Sequence, residues 1–252
     1  AVANLARLDI ADKQLDVARK RYDDFIAKNP KSSQAYLQYA EFLAATGSKA
    51  KDVQALLDKG LAAVPTALPI RMALGRMLVQ GGDPKRALQL AQEASVAAPD
   101  EPSVLDLLGR AQVAAGEMQQ ALLTYNKLSS RLPGSPAPLV ALADLQAASK
   151  DLSGAEQSLR KALAVKPDTV EAQQRLIAIL INSKRGDEAI AIAKDIQKQR
   201  KDAAVGFVLE GELLAATGKK TEAVNAHVEA YKRDKSPQSF VRLHAARIAA
   251  GQ

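Results

Sequence analysis

The segment from Pro102 to Pro133 reads PSVLDLLGRAQVAAGEMQQALLTYNKLSSRLP. Apolar residues from Val104 to Ala114 recur at helical spacing, with polar residues on the opposite side. That is the pattern of an amphipathic helix. Gly116 interrupts it, as a residue tolerant of left-handed backbone does at a helix end. A second stripe runs from Met118 to Leu132 and stops at Pro133, because proline has no N–H with which to continue a helix. The segment predicts two short antiparallel helices and two tight turns.

The same pattern returns along the chain. Pro30, Pro65, Pro99, Pro133 and Pro167 are spaced by 35, 34, 34 and 34 residues, and Ala87, Ala121, Ala155, Ala189 and Ala223 by 34 each. Two residue types in one register mark an internal repeat. One helix pair cannot bury its apolar face alone, so neighbours must stack. The expectation is an all-α solenoid forming a single array over 1–252, with about seven helix-turn-helix repeats near 1–32, 33–67, 68–101, 102–135, 136–169, 170–203 and 204–237, followed by an unpaired helix over 238–250.

These residues resemble the tetratricopeptide repeat (TPR) pattern, W-x2-L-G-x2-Y, then A-x3-F, then P. LDLLGRAQ (Leu105–Gln112) and RMALGRML (Arg71–Leu78) match its first half with the aromatic replaced, and YLQYAEFL (Tyr36–Leu43) is close. ALLTY (Ala121–Tyr125) and ARKRY (Ala18–Tyr22) match its second half. The resemblance implies a right-handed superhelix. Gly75, Gly109 and Gly211, with Ala6, Ala40, Ala143 and Ala245, fall where first helices approach their neighbours. Ala18, Ala87, Ala121, Ala155, Ala189 and Ala223 fall there on second helices, with large residues filling the gaps.

Three departures are visible. Ile177 replaces a small residue, Lys201 stands where proline is expected, and Pro237 comes two residues late. They predict loosening and a bend around 198–206. Ala1 begins inside a first helix, and HAARIAAG (His244–Gly251) is a first helix ending at its turn glycine. The expectation is a piece of a longer array.

The segment Gly206–Gln252 also resembles units of the bacterial PEP-CTERM/exosortase-system TPR lipoproteins, through its L-E-G-E start and the later R-L-H and A-A-G. That resemblance implies a role in envelope protein export or exopolysaccharide assembly. It also implies a periplasmic or envelope-associated parent anchored by a lipid, the alternative compartment being the cytoplasm.

Composition narrows the chemistry. There are no cysteines, which excludes disulfides, thiolate metal sites and cysteine nucleophiles. The longest strongly apolar run, Leu176 to Ile181, is far short of a membrane span. No phosphate loop, dinucleotide fingerprint or zinc-protease motif occurs. No enzyme activity, small-molecule substrate, metal or cofactor is expected. The only histidines, His227 and His244, fall on core-facing register positions, and Glu210 falls where leucine normally sits. They could approach one another, as a weak metal or acid–base pair or as a satisfied buried polar cluster.

The formal charge of +7 permits an acidic partner. The runs KDIQKQRKD (Lys194–Asp202) and YKRDK (Tyr231–Lys235) lie at ends of second helices, where cations complement the helix dipole. Aromatics interleaved for base stacking are absent, so nucleic acid is not the expected partner.

In the TPR resemblance the first helices line a concave groove, with binding residues recurring once per repeat. One column reads Arg7, Glu41, Arg76, Arg110, Asp144, Ala178, Glu212 and Ala246; others supply Met72, Asp106 and Gln174, and Val113 with Gln80 and Asn182. The candidate partner-binding set is Met72, Arg76, Gln80, Asp106, Arg110, Val113, Asp144, Gln174 and Asn182. The arginines would grip carbonyls or an acidic side chain of a protein or peptide, and Met72 and Val113 would accept an apolar one. Alternatively these charges neutralise each other along the groove. A basic solenoid binding an anionic glycan or nucleic acid is the alternative function.

Overall fold

The structure, a computed structural model, describes residues 2–252, apart from the Ile10 side chain; Ala1, expected within the first helix, lies outside the described residues. Among the described residues there are fifteen α-helices and no strand. They are α1 (Val2–Ala11), α2 (Leu15–Lys28), α3 (Ser33–Ala45), α4 (Ala50–Ala63), α5 (Leu68–Gly81), α6 (Pro84–Ala97), α7 (Pro102–Ala114), α8 (Met118–Arg131), α9 (Ala137–Ala148), α10 (Leu152–Val165), α11 (Val170–Asn182), α12 (Gly186–Gln199), α13 (Val205–Ala216), α14 (Lys220–Arg233) and α15 (Pro237–Ala249). Odd numbers are first helices of a repeat and even numbers second helices.

The turn chemistry sets these boundaries. Each of α2, α4, α6, α8 and α10 ends two residues before Pro30, Pro65, Pro99, Pro133 and Pro167. Lys201 and Lys235 stand at that same distance beyond α12 and α14. Within each repeat, the turn after the first helix needs one left-handed residue. Gly47, Gly82, Gly116 and Gly218 supply it with φ between +76° and +83°, and Lys13, Lys150 and Lys184 with φ of 60°, 64° and 59°. Lysine there carries the steric cost of its Cβ. Second helices are also capped by side chains: the Asp83 and Asp151 carboxylates accept from the N–H groups of Arg86 and Gly154.

The chain forms two compact units, one ending at Arg131 and one beginning at Leu132. In the first, Ala6, Ala18, Ala40 and Ala87 are buried among Tyr36, Ile70, Leu74 and Leu107, the last four almost fully enclosed, and Ala121 is fully buried on α8. Gly75 lies against Leu107 and Gly109 against Tyr125. In the second, Ala143, Ala155, Ala189 and Ala223 pack with Leu159, Leu176 and Leu180. Gly211 lies against His227.

One expectation is corrected by the packing. Ala245 and His244, placed at contact positions by the repeat register, are exposed. The reason is that α15 packs against α14, and no helix among the described residues covers its far side. Across 198–206 the register is unbroken. Gln197 Nε2 donates to the Gly206 carbonyl at 3.3 Å, and Arg200 donates to the Asp168 carbonyl at 3.1 Å. Ile177, the other departure, is half-buried.

Candidate functional site

The side chains proposed for partner binding divide between the two units. In the first unit they stand on α5 and α7, which pack against each other. Arg76 and Gln80 are exposed on α5; Arg110 is exposed on α7, where Asp106 and Val113 are half-buried. Arg110 Nε donates to Asp106 Oδ2 at 2.9 Å, one helical turn back. That hydrogen bond and the carboxylate charge raise the Arg110 pKa. Arg76 has no acidic partner among the described residues. Met72 differs from expectation: at 5% exposed it belongs to the core of this unit and offers a ligand no free surface.

Beneath Arg110, Tyr125 fills the space left by Gly109. Burial first, and then the Asp106 charge, pushes its phenol up to about 12. The Asp106 carboxylate thus orients the Arg110 guanidinium and adds to the burial that raises the Tyr125 phenol.

In the second unit Asp144 on α9 accepts from Arg175 Nε on α11 at 2.5 Å, and Gln174 and Asn182 are exposed on α11. Farther on, Glu212 on α13 pairs with Arg242 on α15 at 3.2 Å. Two carboxylates of the groove column, Asp144 and Glu212, are thus engaged by arginines of the next first helix, Arg242 standing in the column of Met72, Asp106 and Gln174 and Arg175 one residue beyond it. The signal was present as spacing. Each arginine lies 31 or 30 residues beyond its carboxylate, one repeat less about one helical turn.

Glu210, His227 and His244 are not gathered into a ligand set, and among the described residues no group of three such side chains is arranged for a metal ion. Glu210 accepts from Gln197 Nε2 at 2.7 Å and lies 3.6 Å from Lys194 Nζ. His244 stacks on Phe240 with ring centroids 6.2 Å apart. His227 is 5% exposed, pressed on Gly211, with Nδ1 lacking a hydrogen-bond partner.

Burial lowers the His227 pKa from its ordinary 6.5, with Glu212 opposing and Arg242 assisting. The unfolded chain therefore takes the proton more readily. Stability contributed by neutral His227 is complete above pH 6.5 and is lost as the pH falls below it. Thermal melts between about pH 7.5 and about pH 5 are expected to show a decline. His227→Tyr, which places there the residue type that Tyr125 supplies at the same repeat position, is expected to diminish it. An equal decline in the variant would contradict this.

Stacked helix pairs with a repeating core define a helical-repeat solenoid. Family models described as "Tetratricopeptide repeat" match residues 4–67 and 71–136 in one case, and 112–174 and 146–206 in another. The chain belongs to the tetratricopeptide repeat family. Neither matching model is catalytic. No curated protein matches the chain.

Similar solved structures are TPR proteins. The C-terminal part of a TPR repeat-containing protein from Cytophaga hutchinsonii has a TM-score of 0.70 at 16% identity, covering 96% of this chain and 99% of that one. A tetratricopeptide repeat protein from Parabacteroides merdae has 0.63 at 13%, covering 97% of each. YrrB, described as a TPR protein with an unusual peptide-binding site, has 0.59 at 21%, covering 69% of this chain and 89% of that one. At these identities the likeness concerns the fold. No helix of the described residues is long and apolar enough to cross a membrane.

Proposed function

We propose that this chain is a non-enzymatic interaction scaffold whose first-helix face on α5 and α7 binds an extended peptide or an exposed segment of a partner protein. The observation that carries the reading is the contrast between two exposed arginines. Arg110 is held in place by Asp106, while Arg76 on the neighbouring helix has no acidic partner among the described residues. An oriented guanidinium beside an uncommitted one suits a carboxylate or a row of backbone carbonyls. Val113 offers a small apolar contact and Gln80 an amide. On the second unit, Asp144, Gln174 and Asn182 provide a polar face of their own. The description of YrrB as peptide-binding is consistent with such use of a TPR fold.

The proposed setting is bacterial envelope protein export or exopolysaccharide assembly, with the chain in the periplasm or at the envelope. Its support is the motif resemblance of Gly206–Gln252. An anionic polymer is the less favoured ligand, because several cations of the basic helix ends are internally engaged. Lys198 pairs with Asp195, Lys232 and Arg233 pair with Glu229, and the Arg233 guanidinium covers the Phe207 ring at 3.9 Å.

Capture from a native envelope fraction, by this chain and by its Arg76→Ala/Arg110→Ala variant, tests the reading. The expected outcome is a protein partner retained by the first and lost by the second. Capture insensitive to both substitutions but steeply reduced by salt would instead indicate a polyanion.

A further inference from the structure

The second unit departs from the repeat where the core is otherwise strictest. Leu74, Leu108, Leu142 and Leu176 hold one position of successive first helices, and Glu210 takes it on α13. Leu74 and Leu176 are fully buried and Leu142 nearly so. The Glu210 side chain is itself largely enclosed, 14% exposed. A second column carries Ala226 on α14 where the preceding repeat carries Ile192.

These changes coincide with a cleft of about 550 Å³ between α12, α13 and α14, lined by Ile190, Leu214 and Ala226, with Phe207 and Glu210 among its other lining residues. One repeat earlier the equivalent surface is divided between two clefts, one of about 310 Å³ with Leu176 and Ile192 in its lining and one of about 450 Å³ lined by Ser153, Glu156, Gln157 and Arg160.

The chemistry of the lining is specific. Its apolar part combines Ile190, Ala191, Leu214 and Ala226 with the Phe207 ring. Asp187, Glu210, Glu222 and Glu229 line it together with two cations, Lys194 and Lys219, an acidic balance in a chain whose formal charge is +7. Lys219 engages Asp187 at 2.6 Å, and Lys232 and Arg233 engage Glu229. Glu222 has no ion-pair partner among the described residues. Glu210 keeps acceptor capacity beyond its bond from Gln197, because the Lys194 ammonium stands off at 3.6 Å and is itself mostly exposed. A half-enclosed carboxylate above an aliphatic floor matches a cation carried on an apolar stem.

We propose that this cleft is a second interaction site, which takes a basic amphipathic segment of a partner protein. An aliphatic side chain of the partner rests against Ala191 and Phe207, which keep free surface beside the buried Ile190, Leu214 and Ala226, and an arginine or lysine head replaces Lys194 at Glu210 and reaches Glu222. The site is built from α12–α14, independently of the arginines of α5 and α7, and it stands whether or not those arginines bind a ligand.

The test is selection of short phage-displayed random peptides on the whole chain, followed by affinity measurement on three variants. Glu210→Leu and Ala226→Ile restore residues that neighbouring repeats carry, so each should keep its helicity and unfold at or above the parent temperature. Expected are peptides combining basic and aliphatic residues, whose affinity falls by about tenfold or more in either variant and is unchanged in Arg76→Ala/Arg110→Ala. Three outcomes would overturn the proposal. They are selection of no such peptides, binding undiminished in Glu210→Leu, or a lower unfolding temperature in that variant, which would make Glu210 a structural residue.

Discussion

Leu176→Ala is expected to destabilise the second unit by about 2–5 kcal/mol, the range for emptying a leucine-sized volume in a packed core. Leu176 is fully buried on α11, which packs on both α10 and α12. It belongs to the cluster that includes Leu159, Ala172, Leu180 and Ala189. Helix pairs in a repeat array are held mainly by their nearest neighbours. The loss should therefore be local first. Hydrogen exchange is expected to accelerate most in α10, α11 and α12, and least in α1–α4. A uniform acceleration along the chain would show that the array unfolds as one cooperative body instead.

Gly109→Leu is the second large effect. A Cβ at this position would lie 2.8 Å from Tyr125 Cε2 and 2.9 Å from Cζ. The Tyr125 ring is itself 5% exposed, so it has little room to yield. Overpacking of this kind costs about 1–3 kcal/mol, occasionally more. Denaturant unfolding would measure it, and Tyr125→Ala in the same chain should recover part of the loss, because the two changes share one contact. An unchanged midpoint in the single variant would mean that α7 and α8 do not meet at this glycine.

Much of this architecture is legible in the sequence because the repeat puts the same physical demand at the same place each time. Proline, for want of an N–H, marks the ends of α2, α4, α6, α8 and α10, and alanine or glycine marks the close approaches between helices. What escaped notice has equally physical causes. Lys13, Lys150 and Lys184 adopt the left-handed turn that glycine fills elsewhere, and lysine announces no turn. Lys201 and Lys235 stand where proline stands elsewhere, two residues beyond the ends of α12 and α14.

At the candidate site the limits are instructive. Arg76 and Arg110 are surface residues, as their register implies, but Met72 belongs to the interior. A polarisable side chain reads alike for core and ligand contact. Asp144 is engaged by Arg175 through a pairing between neighbouring first helices, invisible to columns read at strict period. The cleft at Glu210 could be suspected from one residue, the glutamate in a leucine column. Its size depends on the packing around Ala226 as well, and volume is not apparent from residue type alone.

The central claim, that the α5–α7 face binds a protein segment through its two arginines, is tested most directly by the affinity of the captured partner for the parent chain and for Arg76→Ala/Arg110→Ala. The account predicts a loss of about tenfold or more, with the helical spectrum and unfolding temperature of the variant unchanged because both side chains are exposed. Equal affinity for the two proteins would contradict it.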